Sequence, residues 1–487
     1  MKNRILIMKN GLLMFLLIAI TSCESWISVE PTDRLSEDKV YSTQKGFLQS
    51  LNGIYAEMNN SNVYGGHLSV GVLDVLAQYY DGGPDNSYTY YYYPKYDYTA
   101  TSVKTTFTNI WGKMYSLITS VNIILEKCEQ ADCLTTQYQK IIKGEALALR
   151  AMFHFDLLRL FGPIMSENAS GEAIPYMTTA DQSIQDILTA EVVIDKIIKD
   201  LSQASTLLKD EDPIITDGVK HTPEDEDNID FCYRQYRLNY YAVQVLLARA
   251  NLWKGDKVEA LKIAEDAISE VGSIFPFASS STATGAYPDR MFSSEVIFAL
   301  YNTNRINVYR KYFTSTLEVR NILSFAGTLD SGRIPELYDS QNDLRYKMWS
   351  ASSEGDNDLI FNKFEDVAVK DGSTDRYCYM MPLIRLSELY LIAAECETDF
   401  DQALSYLNTI RNRRNCPNLD LVNTEELMNA ITNEFRKEMI GEGQMFYFYK
   451  RNAVQNVPNG CATSGSMNML LKNYVVPIPE SEIDNRM

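Results

Sequence analysis

The chain has 487 residues, with 45 Lys and Arg against 64 Asp and Glu, a formal charge of −19 and a pI of about 4.7. Hydrophobic residues at 45% and charged residues at 22% describe a globular chain and not a disordered one. The acidic surplus excludes a basic face that tracks phosphates and charge-driven docking on anionic lipid.

The first 22 residues read as an address. Lys2, Arg4 and Lys9 form a positive region, and Gly11 to Ile20 is an apolar run of ten residues, too short to span a bilayer. Small residues then precede Cys23, a pattern that resembles a bacterial lipobox. Cleavage before Cys23 and acylation of that residue are expected, and loss of the three cations takes the charge from −19 to −22. No later segment reaches 18 consecutive apolar residues, so the mature chain is expected to be anchored and not spanning.

From about residue 36 to 78 the chain reads as the start of a helical scaffold. Tyr79 to Thr101 then carries no helical period; its first twenty residues, YYDGGPDNSYTYYYYPKYDY, contain nine tyrosines between Gly and Pro turns. Val103 to Glu129 and Ile141 to Phe161 form a helix pair, and Ile184 to Leu208 adds a long helix. Asp210 to Asp230 is irregular, and its acidic run Glu224 to Asp227 lacks the glycine and closing glutamate of a calcium loop. Arg237 to Val271 is the clearest hairpin, with Ala242, Val245, Leu246, Ala250 and Trp253 before the Gly255-Asp256 break and Leu261, Ala264, Ile268 and Val271 after it. Phe275 to Arg345 and Ser350 to Tyr379 are loop-rich. Leu383 to Arg414 repeats the helix pair. Such pairs cannot bury both faces alone and stack into a curved array. The fold class is therefore mainly α: a tetratricopeptide-like α/α superhelix with long loop-rich insertions and little strand.

Seven cysteines follow Cys23, an odd number. Cys128 and Cys133 are near enough in sequence to pair, but small buried thiols are the simpler expectation. The three histidines, His67, His154 and His221, are too scattered for a histidine metal site, and neither metal nor cofactor is expected. No GxSxG, HExxH, P-loop or GxGxxG occurs. His154, Asp156 and Arg159 read as pairing along a helix surface, not as a triad. Catalytic residues are therefore expected to be absent; a glycosidase would need two carboxylates placed across a bond.

Six segments carry a family resemblance. SWISVEPTDRLSEDKVYSTQKGFLQSLNGIYAEM follows the lipidation cysteine. GEALALRAMFHFDLLRLFGPI ends in a Phe-Gly turn, and RLNYYAVQVLLARANLWKGDKVEALKIAEDAI is the central pair. MPLIRLSELYLIAAE with LNTIRNRRN, then EFRKEMIGEGQMFYFYKR and YVVPIPESEIDNRM, close the series. In this order they resemble the SusD/RagB family of nutrient-binding lipoproteins. One departure is clear: after Glu442-Gly443 the family usually shows an Arg and then an Asp, where this chain has Met445 and Phe448. The resemblance implies one SusD-like domain over 23–487 after a lipoprotein signal peptide at 1–22. Its scaffold would take about 36–78, 103–208, 237–271 and 383–450; loop-rich ligand-side segments would take about 79–101, 210–230 and 275–379. It also implies lipid anchoring at Cys23 in the outer membrane, a glycan or other oligomeric nutrient as ligand, and a SusC-like TonB-dependent transporter as partner. A helical-repeat interaction scaffold is the alternative.

A sugar ring has an apolar C–H face and a rim of hydroxyls, so its binding needs flat rings and fixed polar groups; Tyr supplies both with only two side-chain torsions. The 32 tyrosines, against 4 Trp and 19 Phe, fit this need. In the early loop the candidates are Tyr80, Asp81, Asp85, Asn86, Tyr90, Tyr92, Tyr93 and Tyr96. The resemblance places further ligand loops in the middle third, where Tyr287, Arg290, Tyr301, Asn302, Arg305 and Trp349 are the candidates, with Asp289, Asn304 and Tyr309 beside them. The competing expectation is that Tyr90, Tyr92 and Tyr96 pack an edge strand onto the core.

Overall fold

Helices α1 (Gln44–Glu57), α2 (Thr101–Cys128), α3 (Thr136–Phe161), α4 (Ala190–Leu208), α5 (Tyr240–Lys254), α6 (Lys257–Val271), α7 (Leu386–Cys396), α8 (Phe400–Arg413), α9 (Thr424–Glu438) and α10 (Met445–Arg451) carry the architecture. The structure is a computed structural model and describes residues 37–181, 183–221, 226–352, 359–365, 375–484 and 486. The address segment 1–22, Cys23 and the acidic positions 224 and 225 lie outside the described residues. From α2 to α8 each helix packs on the next in chain order, and α9 packs on both α7 and α8. This is the stacked array that the helical spacing predicts. Among the described residues no helix is long and apolar enough to cross a membrane.

The α5–α6 hairpin turns where expected. Gly255 adopts φ +95°, left-handed backbone that costs glycine nothing, and the Asp256 side chain accepts from the Glu259 N–H at 3.0 Å to start α6. Two helix boundaries differ from expectation. The segment from Ile184 is not helical until Ala190, because Ile187–Thr189 pairs antiparallel with Glu172–Pro175. The signature beginning at Met381 is not helical until Leu386, because Met380–Arg385 is a strand paired with Val296–Tyr301. Both segments run directly into a helix with no Gly or Pro at the junction, although Pro382 lies inside the second strand. Period alone does not separate such a strand from a first helical turn.

Helix α3 is buried on every side from Gly144 to Phe161, so its sequence shows no amphipathic stripe. Its polar side chains are matched inside the core. Arg150 grips Asp200 with two bonds of 2.7 and 2.9 Å, and the Tyr64 hydroxyl donates to Asp156 at 2.6 Å. His154 bridges the Arg150 carbonyl, at 2.9 Å from Nδ1, and the Met177 N–H, at 3.0 Å from Nε2. Burial pushes its pKa down to about 3, so it stays neutral. Asp156 and Arg159 pair with each other as expected, but they and His154 lie in the core and not on the helix surface. Cys128 and Cys133 are not bridged to each other; both are free thiols.

The carboxyl-terminal signature encloses a charge cluster. Arg345, Arg385, Arg411, Arg414, Lys363 and Lys437 meet Glu295, Asp339, Asp343, Glu434, Glu438 and Glu442, six cations against six carboxylates. All but Asp339 are buried. Net neutrality is what lets so many charges leave water together. In the departure from the family pattern, Met445 is buried and Phe448 stacks on Phe435 with centroids 4.5 Å apart, so apolar contact fills that turn.

Asp74, in a short helix Val72–Leu76, has no such match. It is fully buried; one oxygen accepts from the Gly441 N–H at 2.6 Å and the other has no partner among the described residues. Burial raises its pKa to about 8, against the smaller lowering by Gly441 and Lys363. Between pH 4 and pH 8 the folded chain therefore holds a proton that the unfolded chain releases. Asp74 alone should lower stability as pH rises through this window, by about 1.4 kcal/mol per pH unit. Denaturant titrations at pH 5 to 9 should show Asp74→Asn gaining on the parent chain with each unit and levelling above pH 8. A constant difference between the two proteins would refute this.

Candidate functional site

The tyrosine-rich segment is neither strand nor helix; from Tyr79 to Ala100 it winds through consecutive turns. Its geometry is set by Gln78, a buried residue with φ +61°. Left-handed backbone costs a non-glycine residue about 1 kcal/mol or more. The cost is met by the side chain, which donates to the Pro94 carbonyl and the Tyr96 hydroxyl at 2.8 Å each and accepts from the Gly460 N–H at 3.2 Å. Tyr96 in turn donates to the Leu76 carbonyl at 2.9 Å. One amide thus ties the start of the loop, its return and the turn at 459–465. Arg333, itself buried, fixes that turn by donating to the carbonyls of Asn459, Ala462 and Gly465.

The loop is also tied to the middle of the chain. The Asp81 N–H donates to the Ser324 carbonyl at 2.9 Å and the Thr89 N–H to the Arg320 carbonyl at 3.0 Å. The Thr89 hydroxyl donates to Asn321 at 2.6 Å. Asp81 and Asp85 each accept a backbone N–H two residues on, from Gly83 and Ser87, so both carboxylates brace turns. The Ser87 contacts hold the Asp85 carboxyl below the usual carboxylate range.

Turns send the rings in two directions. Tyr80, Tyr90, Tyr93 and Tyr96 are buried, at 0, 7, 5 and 7% exposure, so their faces are covered by protein. Tyr80 packs edge-on against Phe325, which also meets Trp349 with centroids 4.5 Å apart. Trp349 is 5% exposed and stacked on Phe361. These rings form the wall behind the loop. Tyr88, Tyr91 and Tyr92 are half-buried, and Asp85 and Asn86 are exposed beside them. Tyr92 packs partly on the core, whereas Tyr88 and Tyr91 do not. Tyr88 lies over Gly83, at φ +84°, where an added Cβ would come 2.1 Å from the ring. The Lys95 ammonium sits over the Tyr91 ring, and Tyr92 meets that ring edge-on at 5.1 Å. The outward surface therefore offers flat rings, two acids, an amide and backbone turns held from behind.

Most of the middle candidates gather elsewhere. Tyr301 is 48% exposed and contacts Tyr236 and Tyr379 edge-on. Asn302 and Arg305 are buried and serve the backbone: the Asn302 N–H donates to the Tyr379 carbonyl at 2.7 Å and Arg305 to the Tyr377 carbonyl at 2.8 Å. Tyr287 is 37% exposed and its carbonyl accepts from the Tyr377 hydroxyl at 3.0 Å. Arg290 pairs with Glu365 at 2.8 Å. Asp289 is buried against Ser293. Sequence reasoning singled out neither Tyr88 nor Tyr91, nor the supports Gln78, Asn321 and Arg333. The Asn459-Gly460 pair was a turn signal that could have drawn attention to 459–465.

Two family profiles match the chain. One, described as starch-binding associating with outer membrane, covers residues 26–217, and another, described as SusD family, covers residues 350–486. Among curated proteins, SusD-like protein P25 of Formosa agariphila is 21% identical over 88% of this chain and 86% of its own length. SusD-like protein P38 of the same organism is 22% identical over 90% of each. Among solved structures, a SusD superfamily protein from Bacteroides thetaiotaomicron superposes with a TM-score of 0.69, at 23% identity, over 91% of this chain and 98% of that one. A protein from Bacteroides vulgatus described as a putative sugar binding protein gives the same TM-score and identity over 91% and 96%.

Proposed function

The chain belongs to the SusD family, and from that premise we propose that it is an outer-membrane lipoprotein that retains a glycan, or another oligomeric nutrient, at the cell exterior. It passes this ligand, chemically unchanged, to a SusC-like TonB-dependent transporter. The observation that carries the reading is the braced loop with Tyr88 and Tyr91 turned away from the core beside Asp85 and Asn86. Stacked on the C–H face of a sugar, such rings leave the rim hydroxyls to the neighbouring acids and amide. Because the loop is pinned before ligand arrives, little ordering has to accompany capture. The sugar-binding description of the Bacteroides vulgatus relative supports the same ligand class.

A soluble chain starting at residue 24, titrated against an array of oligosaccharides, should retain one polymer class and release no new reducing ends. Turnover abolished by a single carboxylate substitution would defeat the non-catalytic reading. Retention of peptides and no glycan would favour the interaction scaffold. The full-length chain should partition with membranes and Cys23→Ala should release it, since one acyl-bearing residue carries the attachment. Membrane pelleting that survives Cys23→Ala would overturn the anchor. Co-purification should yield one large outer-membrane barrel; varied partners would again favour the scaffold.

A further inference from the structure

A groove runs along the outer face of α2. Its deep end is a cavity of about 300 Å³ between α2, the 175–185 segment and the carboxyl-terminal residues 482 and 486. Trp111 and Tyr115, with ring centroids 4.8 Å apart, line it together with Met177, and Ile184 stands at its rim, 62% exposed. Arg486 donates to the Gln185 carbonyl at 2.6 Å, which ties the carboxyl-terminal wall in place. Gly112 completes the lining. Glycine is the poorest helix former after proline, and a Cβ here would meet nothing within 4 Å, so packing among the described residues does not call for it. Its effect is to keep the cavity open in the middle of a 28-residue helix.

The other end of the groove is where the described chain begins. Glu37 and Asp38 both pair with Lys127 at 3.1 Å, in the last turn of α2. From there Ser120, Ser116 and Gly112 form an exposed line along the helix, small and uncharged, on which an extended chain can lie closely. Gly112 lies about 22 Å along the helix from Lys127, at about 1.5 Å per residue. Residues 24–36 lie outside the described residues; their sequence is ESWISVEPTDRLS, and Trp26 is its largest apolar side chain. At about 3.3 Å per extended residue, Trp26 can reach about 36 Å from Glu37, which spans the groove with slack.

We propose that this groove seats the chain's own amino-terminal segment, with the Trp26 indole in the cavity over Trp111 and Tyr115. Aromatic rings pack edge-on or offset on such a floor, and the Glu482 carboxylate on the cavity wall can accept the indole N–H. The exposed Ile184 side chain gains cover from the same segment. The consequence rests on the lipoprotein reading above: with Cys23 acylated, the docked segment is a clamp close behind the acyl chains and not a loose tether. The outer face of α2 is then held against the membrane, and the protein takes one orientation there.

The test is fluorine NMR on the soluble chain starting at residue 24, with fluorotryptophan at its four tryptophans and Trp26→Phe to assign the line. In the parent chain the Trp26 line should be shifted from free fluorotryptophan. A soluble gadolinium chelate should relax it about tenfold more slowly than in Gly112→Leu, because burying one aromatic ring favours the docked form by at least that factor. Leu favours the helix and enters open space, so Gly112→Leu should melt no lower than the parent; Gly112→Gln takes its place should Leu cause aggregation. Trp26 at the free position in the parent, or protected equally in Gly112→Leu, would overturn the docked segment. In the acylated chain held in phosphatidylethanolamine vesicles the protection should persist. Protection found only there, and unmoved by Gly112→Leu, would put the indole in lipid and overturn the groove as its seat. Gly112→Leu should retain oligosaccharide as the parent does, so failure of the groove and failure of the Tyr88, Tyr91 surface are told apart.

Discussion

Glu438→Gln is expected to cost the protein about 3–5 kcal/mol, enough to leave much of the chain unfolded at physiological temperature. The side chain is fully buried and touches Arg345, Arg385 and Arg414 at once. Burial by itself would raise its pKa, but the three guanidiniums outweigh that and hold it well below the usual carboxylate range. Gln keeps the shape and removes the charge, so six cations would face five carboxylates inside the protein. The control is Glu480→Gln, which breaks the exposed Lys104–Glu480 pair and should change stability by less than about 1 kcal/mol. Thermal and denaturant unfolding of the two variants would check both statements. Near-equal losses would mean that the cluster contributes no more than surface pairs do. The sign with pH is also fixed. Because the pKa of Glu438 is depressed, its contribution is present above the unfolded carboxylate range and is lost as pH falls below about 4.

Tyr88→Ala with Tyr91→Ala should abolish glycan retention while the fold persists. Each ring stands clear of the core, so their joint loss should cost no more than about 1 kcal/mol of stability. Loss of an aromatic anchor at a binding surface costs about 2 kcal/mol or more, some thirtyfold in affinity. Tyr90, Tyr92 and Tyr93 would be a poorer choice. Tyr90 and Tyr93 are buried, and truncating a buried aromatic ring costs about 3–5 kcal/mol, so lost binding would report lost packing. Calorimetry with the retained oligosaccharide and a melting curve on the same sample separate the two effects. Unchanged affinity in the Tyr88, Tyr91 variant would remove the loop from the site.

Much of the scaffold was legible. The α5–α6 hairpin follows from Ala and Leu spacing and the Gly255-Asp256 break. Helix α3 was legible as a helix, but its surroundings were not: burial on every side erases the stripe that would show which face turns inward. The strand Met380–Arg385 was hidden because MMPLIR is too short for its period to separate strand from helix, although Pro382 within it speaks against a helix interior. In the early loop the composition showed that many rings were present, but not which ones faced outward. A strand would have alternated them; consecutive turns, set by Gln78 and the two acids, follow no fixed period. The supporting bonds span hundreds of positions, as from Gln78 to Gly460, and no local pattern announces them.

The charge cluster also bears on how the molecule assembles. The helical array packs neighbour on neighbour, so it can grow while synthesis continues. The twelve charged groups are scattered from Glu295 to Glu442, and the guanidiniums cannot leave water before their counter-ions arrive. A chain ending before Glu434 would leave Arg345 with Asp343 alone, Arg414 with Glu295 alone and Arg385 with Glu295 at 3.9 Å. Full dehydration of this cluster is therefore expected late in folding, once 434–442 has been made, so that a truncated chain would leave Arg385 without a close carboxylate.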